Sequence, residues 1–127
     1  MSNIGSIHTD AAPAAIGPYS QAIKSGALVF FSGQIPLDPA TQTLVDGGIE
    51  EQTRQVFRNL SAISEAADTH LQNTVKLTIY LTDLNDFAQV NCVMAEHFSE
   101  PYPARATIQV SALPKQAMIE IDAIVVV

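Results

Sequence analysis

The sequence predicts an α+β fold, in which two helices pack on one face of a mixed β-sheet. Three observations support this class: a length of 127 residues, 47% apolar residues, and hydrophobic patterns in the order strands, helix, strand, helix, strands. The length suits a single core, and the composition is too apolar for a disordered chain. We therefore expect one domain over residues 1–127. Its first 15 residues, which show no periodicity, should be loosely structured.

The first predicted element is a β-hairpin formed by residues 20–25 and 28–32. Gly26 provides the turn, and the second strand contains bulky residues that favour extended structure. Proline and aspartate then predict a loop at residues 36–39, and Asp46-Gly47-Gly48 predicts a second break.

A helix is predicted to begin near residue 48 or 49. Glu50 and Glu51 in its first turn complement the positive end of the helix dipole. Its apolar positions have the three-to-four residue spacing of one helical face: Ile49, Val56, Phe57, Leu60, Ile63 and Ala67.

The second half of the chain predicts a strand, a helix and two further strands. Residues 75–81 alternate between apolar and polar side chains, as a strand does. Asp83 or Asn85 can cap a helix whose apolar face contains Phe87, Val90, Met94 and Phe98, and Pro101 and Pro103 end it. The last strands are expected near residues 106–110 and 118–127.

Two of the predicted strands, residues 28–32 and 119–127, carry apolar side chains on both alternating faces. Such strands are typical of sheets that are covered on both sides. Two helices cover only one face, so we expect a homo-oligomer whose sheets face one another. The alternative is that loops cover the second face.

Composition argues against several partners and cofactors. Six Lys and Arg against thirteen Asp and Glu give a net charge of −7, which disfavours nucleic acid and anionic membranes. No signal peptide or transmembrane segment is recognisable, and a single cysteine, Cys92, suits a reducing, cytoplasmic environment. His8, His70 and His97 lack metal-ligand spacing, and no glycine-rich phosphate loop is present. We therefore expect neither a metal nor a cofactor.

Arg105 is the first candidate for chemistry, because it is a basic residue that enters an apolar strand. A planar guanidinium can bind a small carboxylate through two parallel hydrogen bonds. The alternative is a surface arginine, or one that forms an ion pair with Glu120 or Asp122.

Glu120 and Asp122 lie two residues apart and therefore on one face of the last strand. A half-buried carboxylate near an arginine can position water or transfer a proton. Paired acids also occur in glycoside hydrolases, and charged residues on strands commonly just face solvent.

Four further residues place polar groups at chain reversals or beside apolar neighbours, where ligand contacts are common. The alternatives are ordinary turn chemistry and, for the last of the four, an amide on the helix surface. They are Tyr19, Ser32, Gly33 and Asn91.

Eight segments in a shared order resemble the reactive-intermediate deaminase family (RidA, YjgF-like), from about residue 16 to the end of the chain. They are residues 16–22 (IGPYSQA), 31–37 (FSGQIPL), 51–55 (EQTRQ), 75–81 (VKLTIYL), 85–87 (NDF), 103–105 (PAR), 113–115 (LPK) and 119–121 (IEI).

The resemblance implies a chorismate-mutase-like fold and a barrel-like homotrimer with sites between its subunits. It implies substrates that are small imino acids, the imine forms of 2-aminoacrylate and 2-aminocrotonate released by pyridoxal-phosphate enzymes. Water would replace the imine nitrogen, which yields a 2-oxo acid and ammonia without any cofactor.

The resemblance also implies roles for individual residues. Arg105 would bind the substrate carboxylate, and Glu120 would position water or move a proton. Thr107 stands where the family often has cysteine; because that position contributes largely through its backbone, we expect activity to survive. Cys92 is not a replacement for it. The pocket would be completed by Tyr19, Ser32, Gly33 and Asn91.

Three other functions stay open at this point. A ligand-binding regulatory module would keep the arginine and catalyse nothing. Ribonuclease activity or inhibition of translation is attached to some relatives, but the acidic charge and the lack of paired catalytic histidines argue against it. A chaperone-like oligomer would explain apolar sheet faces without any site.

Overall fold

The computed structural model describes residues 4–127 and confirms a mixed α+β domain. The helices are α1 (Ile49–Ala66) and α2 (Phe87–His97). Three short 3-10 turns lie at Leu71–Asn73, Leu84–Asp86 and Pro114–Gln116. The strands are β1 (Ile4–Ile7), β2 (Ala22–Ser25), β3 (Leu28–Gln34), β4 (Leu37–Asp38), β5 (Thr43–Leu44), β6 (Thr74–Leu81), β7 (Ala104–Gln109) and β8 (Ile119–Val126).

Within residues 4–127, six strands form the main sheet, in the order β1-β2-β3-β8-β6-β7. All neighbours are antiparallel except β6 and β7, which are parallel. A parallel pair needs a crossover connection, and α2 provides it. Strand β7 stands last in the strand order and is therefore an edge strand. Its residue Arg105 contacts Asn91 of α2.

The helix predicted from residue 48 or 49 begins where expected. The Glu51 carboxylate accepts a hydrogen bond from the Gly48 backbone N–H at 3.0 Å, which satisfies a donor that the helix itself leaves free. The predicted hairpin is confirmed as β2 and β3, and the strand at residues 75–81 as β6.

The prediction of a loosely structured N-terminal segment is wrong for residues 4–7, and residues 1–3 lie outside the described part of the chain. Strand β1 pairs with β2 in a register that joins Ile7 to Ala22. Gln21 holds the segment that follows, because its side-chain amide donates to the carbonyls of Thr9 and Pro13 at 3.0 and 2.8 Å. Backbone pairing at a sheet edge requires no apolar periodicity, so the sequence pattern did not reveal this strand.

Two other boundaries differ from the prediction. Helix α2 ends at His97, before the prolines, because Phe98 adopts extended backbone and buries its ring in the core. Strand β7 begins at Ala104, two residues earlier than expected. The predicted loop at residues 36–39 contains part of a small hairpin, β4 and β5.

The core lies between the two helices and one face of the sheet. Its largest fully buried side chains are on α1, α2, β3, β6 and β8, and each stabilises the fold by about 1.5–3 kcal/mol through burial. They include Val29, Phe57, Leu60, Ile63, Leu77, Ile79, Leu81, Val90, Val93, Ile119 and Ile121.

The opposite face of the sheet remains open in the described chain. Phe30 is 43% exposed and Ile108 is 45% exposed, so loops do not cover this face. Phe30 is paired with Ile124, and Leu28 with Val126, which makes the open face apolar across β3 and β8. None of the helices in the described residues is long and apolar enough to span a membrane.

His97, the last residue of α2, packs its ring against the core. Its ring centroid lies 4.9 Å from that of Phe57. The Nε2 atom is buried, with no hydrogen-bond partner among the described residues. Burial lowers the pKa of His97, and the positive charges of Arg58 and Arg54 lower it further, against an opposing effect of Glu96.

We therefore expect the free energy of unfolding to decrease as the pH falls below 7. The unfolded chain takes up the His97 proton near pH 6.5, whereas the folded chain takes it up only at lower pH, so protonation favours unfolding between these two values. Urea unfolding at a series of pH values from 7.5 to 5 measures this. His97→Phe should weaken the pH dependence, and exposed His70, replaced by Phe, is the control. Identical slopes for wild type and His97→Phe would contradict the assignment.

Candidate active site

Arg105 lies on edge strand β7, and its side chain is held by one face of α2. Arg105 is paired with the buried Leu77 of β6, and paired residues point to the same side of a sheet. Its guanidinium donates a hydrogen bond to Asn91 Oδ1 and lies 4.9 Å from the ring centroid of Phe87. A further contact, at 3.6 Å, joins it to Met94 Sδ. Because Phe87, Asn91 and Met94 are four and three residues apart, they lie on one side of the helix.

An open cleft of about 490 Å³ surrounds this guanidinium, and we call it the arginine cleft. Its lining residues are Asn91, Met94, Ala95, Tyr102, Pro103 and Arg105. Within residues 4–127 the described ion pairs are His8 with Asp10 and Arg54 with Glu96, and none involves Arg105. The alternative of an ion pair with Glu120 or Asp122 is therefore wrong within one chain. A guanidinium has five N–H donors in a fixed fork, so donors remain for a ligand carboxylate.

Glu120 lies on β8, on the open face of the sheet. It is paired with Tyr80, which alternates with the buried residues of β6, and it is half-buried. Strand β3 has an irregular register between Phe31 and Gln34 where it pairs with β8, and Gly33 lies in this bulge. A Cβ atom added to Gly33 would lie 2.9 Å from Glu120 Cδ. The absence of a side chain at Gly33 therefore makes room for the Glu120 carboxylate.

The surroundings of Glu120 disfavour its charged form. Burial raises the pKa of Glu120, and the negative charge of Asp122 raises it further. Asp122 accepts a hydrogen bond from the Tyr80 hydroxyl at 2.9 Å, and this bond holds the second carboxylate beside the first. A carboxyl group whose pKa is moved toward neutrality can both accept and donate a proton.

A second cleft, of about 430 Å³, contains Glu120, and we call it the glutamate cleft. Tyr19 lines this cleft, and its hydroxyl accepts a hydrogen bond from the Ile16 N–H at 3.3 Å. Apolar side chains form much of the remaining wall. The lining residues are Pro13, Ala14, Ile16, Tyr19, Gln21, Gly33, Gln34, Ile35, Leu37, Pro114, Lys115 and Glu120.

The two clefts lie on opposite sides of the sheet in one chain. Arg105 points to the helix side, together with Leu77, whereas Glu120 points to the open side, together with Tyr80. Strand β6 lies between β7, which carries Arg105, and β8, which carries Glu120. Each step between neighbouring strands adds about 4.8 Å to the separation of the two residues. A single chain therefore does not bring Arg105 and Glu120 to the same small molecule.

The other predicted residues take different positions. Asn91 lines the arginine cleft, and Tyr19 lines the glutamate cleft. Ser32 lies next to Gly33, but its hydroxyl donates to the Ser20 carbonyl at 2.6 Å and lines neither cleft. Thr107 lies two residues beyond Arg105 on the same side of β7, and its Oγ1 atom is buried without a hydrogen-bond partner among the described residues.

Sequence reasoning gave no site role to three residues near the clefts. Phe87 was placed on the apolar face of a predicted helix, whereas it is 38% exposed and its ring lies beneath the Arg105 guanidinium. Tyr102 stands between two prolines and gave no periodic signal. Lys115 belongs to a turn, and two signals connect it with the site: its place in the 113–115 segment and its position five residues before Glu120.

Fold and clefts together define a small α+β protein with two surface clefts. One holds an arginine that has no ion-pair partner among residues 4–127, and the other holds a half-buried glutamate. Residues 9–127 match the family model described as Endoribonuclease L-PSP. A RutC family protein from Pyrococcus horikoshii is 55% identical over 118 residues, which cover 93% of this chain and 94% of that protein. The chain belongs to the YjgF/RidA family.

Relatives with more specific names are also similar over nearly the whole chain. A 2-iminobutanoate/2-iminopropanoate deaminase from Bos taurus is 48% identical over 120 residues, covering 94% of this chain and 88% of that protein. The crystal structure of RidA from an Antarctic Psychrobacter species has a TM-score of 0.94 and 50% identity, with 97% and 99% of the two chains covered. The structure of E. coli TdcF with bound serine has a TM-score of 0.90 and 41% identity, with coverage of 97% and 98%.

Proposed function

We propose that this protein hydrolyses small 2-imino acids, such as 2-iminobutanoate and 2-iminopropanoate, to 2-oxo acids and ammonia. One observation carries the proposal: the Arg105 guanidinium stands in an open cleft with no carboxylate partner among the described residues, oriented by Asn91. An unpaired, oriented guanidinium is suited to a ligand that brings its own carboxylate. The reaction requires no metal and no cofactor, and we place it in the cytoplasm.

The working site is proposed to lie between subunits of a homotrimer. Arg105 and Glu120 point to opposite sides of one sheet, so a site that uses both needs residues of two chains. The open apolar face around Phe30 and Ile108 is a surface that a second copy would cover. A chorismate-mutase-like trimer, with the three sheets facing one another, satisfies both requirements.

The chemistry begins when Arg105 binds the 2-carboxylate and thereby orients the imine carbon. Water adds to that carbon of the protonated imine and gives up one proton to a base, while the C=N π electrons pass to nitrogen, so that a hydroxyl and a neutral amine share one tetrahedral carbon. The C–N bond then breaks as the nitrogen takes up a proton, and ammonia leaves. The remaining hydroxyl loses its proton and becomes the 2-oxo group. Positioning of water and substrate supplies most of the acceleration, since imines already hydrolyse readily.

Glu120 is the group proposed to move these protons. As a carboxylate it orients water and accepts a proton from it. As the acid that results, it returns the proton to the departing nitrogen. Its raised pKa reduces the free-energy difference between the two forms, and this favours transfer in both directions. The pocket around it is proposed to include Tyr19, Gly33 and Ser32 beside Glu120, and Asn91 and Thr107 beside Arg105.

The names of several relatives support the deaminase, and the charge of the chain argues against the ribonuclease that the description of the family model names. Several mammalian relatives, at 47–48% identity, are named 2-iminobutanoate/2-iminopropanoate deaminase. A net charge of −7 repels the phosphates of RNA. The second candidate is a binding module without catalysis, and it is favoured by TdcF, a relative whose structure holds serine.

An assay of ammonia release separates the two candidates. A threonine dehydratase generates 2-aminocrotonate in situ, and this protein is added in catalytic amounts. We expect ammonia and 2-oxobutanoate to form faster than with the dehydratase alone. An unchanged rate, together with measurable binding of 2-oxobutanoate, would contradict the enzyme and support the binding module.

A further inference from the structure

Lys115 is a cation in the glutamate cleft that no step of the proposed reaction uses. It lies in the turn that leads into β8, and it lines the cleft together with Glu120. Within residues 4–127, these two are the charged residues among the cleft's lining residues. No described ion pair joins Lys115 to Glu120 or to any other acid, so its ammonium group is available to a ligand.

The backbone at Lys115 is strained. Lys115 has φ 56° and Gln116 has φ 62°, two consecutive left-handed residues, neither of which is glycine. This conformation costs energy for residues with a Cβ atom, and such strain is commonly found at ligand-binding positions. The neighbouring backbone is anchored, because the Met118 N–H donates to Gln52 Oε1 at 2.8 Å. The turn therefore holds Lys115 at the cleft at a cost in conformational energy.

The distribution of charge also singles out Lys115. The chain has only six Lys and Arg against thirteen Asp and Glu, yet each cleft contains one of these cations, Arg105 or Lys115. Two separate cations are suited to a ligand with two separate anionic groups. The glutamate cleft, at about 430 Å³, is also larger than an imino acid of about six or seven non-hydrogen atoms requires, since sites of this size hold drug-sized ligands.

We propose that Lys115 is a specificity residue that binds a second carboxylate, so that the preferred substrates are 2-imino dicarboxylates of the aspartate and glutamate type. This inference rests on the proposed function. Arg105 of one chain would bind the 2-carboxylate, and Lys115, on the chain that provides Glu120, would bind the side-chain carboxylate. Enzymes that oxidise acidic amino acids to their imines would supply such substrates.

Calorimetric binding of two stable products tests this assignment. The probes are 2-oxoglutarate, which has two carboxylates, and 2-oxobutanoate, which has one. We expect wild type to bind 2-oxoglutarate more tightly, and Lys115→Met to lower the ratio of the two affinities about tenfold, the usual effect of losing a charged hydrogen bond. Lys115→Arg should restore most of the ratio, and Lys115→Gln provides a second neutral variant if Lys115→Met folds poorly.

Lys24→Met is the matched control, because it removes the same charge from β2, outside both clefts, and it should leave the ratio unchanged. A ratio that Lys115→Met does not alter, or a wild type that binds neither oxo acid, would overturn the inference. Failure of the proposed function has a different signature. Selective, Lys115-dependent binding without any acceleration of imine hydrolysis would contradict the deaminase and still support the second-carboxylate site.

Discussion

Replacement of Arg105 by alanine should lower kcat/KM for hydrolysis of 2-iminobutanoate by about a hundredfold or more. Hydrogen bonds to charged groups contribute about 1.5–3 kcal/mol each, and a bidentate guanidinium makes two of them. Loss of about 3 kcal/mol corresponds to somewhat more than a hundredfold in rate. The measurement is the initial rate of ammonia release at several concentrations of an imine generated in situ.

One further variant separates the geometry of the guanidinium from its charge, and a second variant is a control. Arg105→Lys retains the positive charge but loses the planar fork and its stacking on Phe87, so we expect about a tenfold loss. Arg58→Ala is the control, because Arg58 is exposed on α1 and bonds only to the Gln55 side chain among the described contacts. Wild-type kinetics in Arg105→Ala would refute the role of the guanidinium.

Replacement of Glu120 by glutamine should be the second large effect, again a decrease of about a hundredfold in kcat/KM. The substitution retains the size of the side chain beside Gly33 and removes only its ability to take up a proton, and general acid–base groups contribute about 10²–10⁴-fold. A variant that retains full activity would show that Glu120 moves no proton in the slow step.

The pH dependence provides an independent check on Glu120. The proposed activation of water requires the carboxylate form of Glu120, so kcat/KM should increase as the pH rises through the pKa of Glu120, which burial and Asp122 raise. Asp122→Asn removes a neighbouring negative charge and lowers that pKa, so the acid limb should move to lower pH. The same substrate in both enzymes cancels the titration of the imine itself. If the acid side of the pH profile of kcat/KM did not move in Asp122→Asn, it would report the titration of a group other than Glu120.

Local sequence patterns were sufficient to predict the helix and strand that pack on the core. Helix α1 was predicted to within one residue of its start, because its apolar spacing and first-turn acids act within the chain segment itself. Strand β6 was recognised in the same way. Strand β1 was not, since an edge strand is held by backbone pairing with β2 rather than by a buried side-chain pattern.

The candidate site was only partly predictable. Arg105 and Asn91 were both candidates from sequence, but their contact depends on how α2 crosses from β6 to β7. Glu120 was also a candidate, whereas its contact with Gly33 arises from the bulge in β3. Lys115 belongs to a segment that carries the family resemblance, but it was given no role in the site, because its left-handed backbone belongs to a turn that no apolar pattern marks.

The sequence by itself determined the fold class, the acidic charge and the candidate residues Arg105 and Glu120. These depend on composition and short-range periodicity. Only the tertiary structure decided that Arg105 has no acidic partner among residues 4–127 and lies on the opposite side of the sheet from Glu120. The physical reason is that strand order and register, which join residues far apart in sequence, decide the face on which each side chain lies.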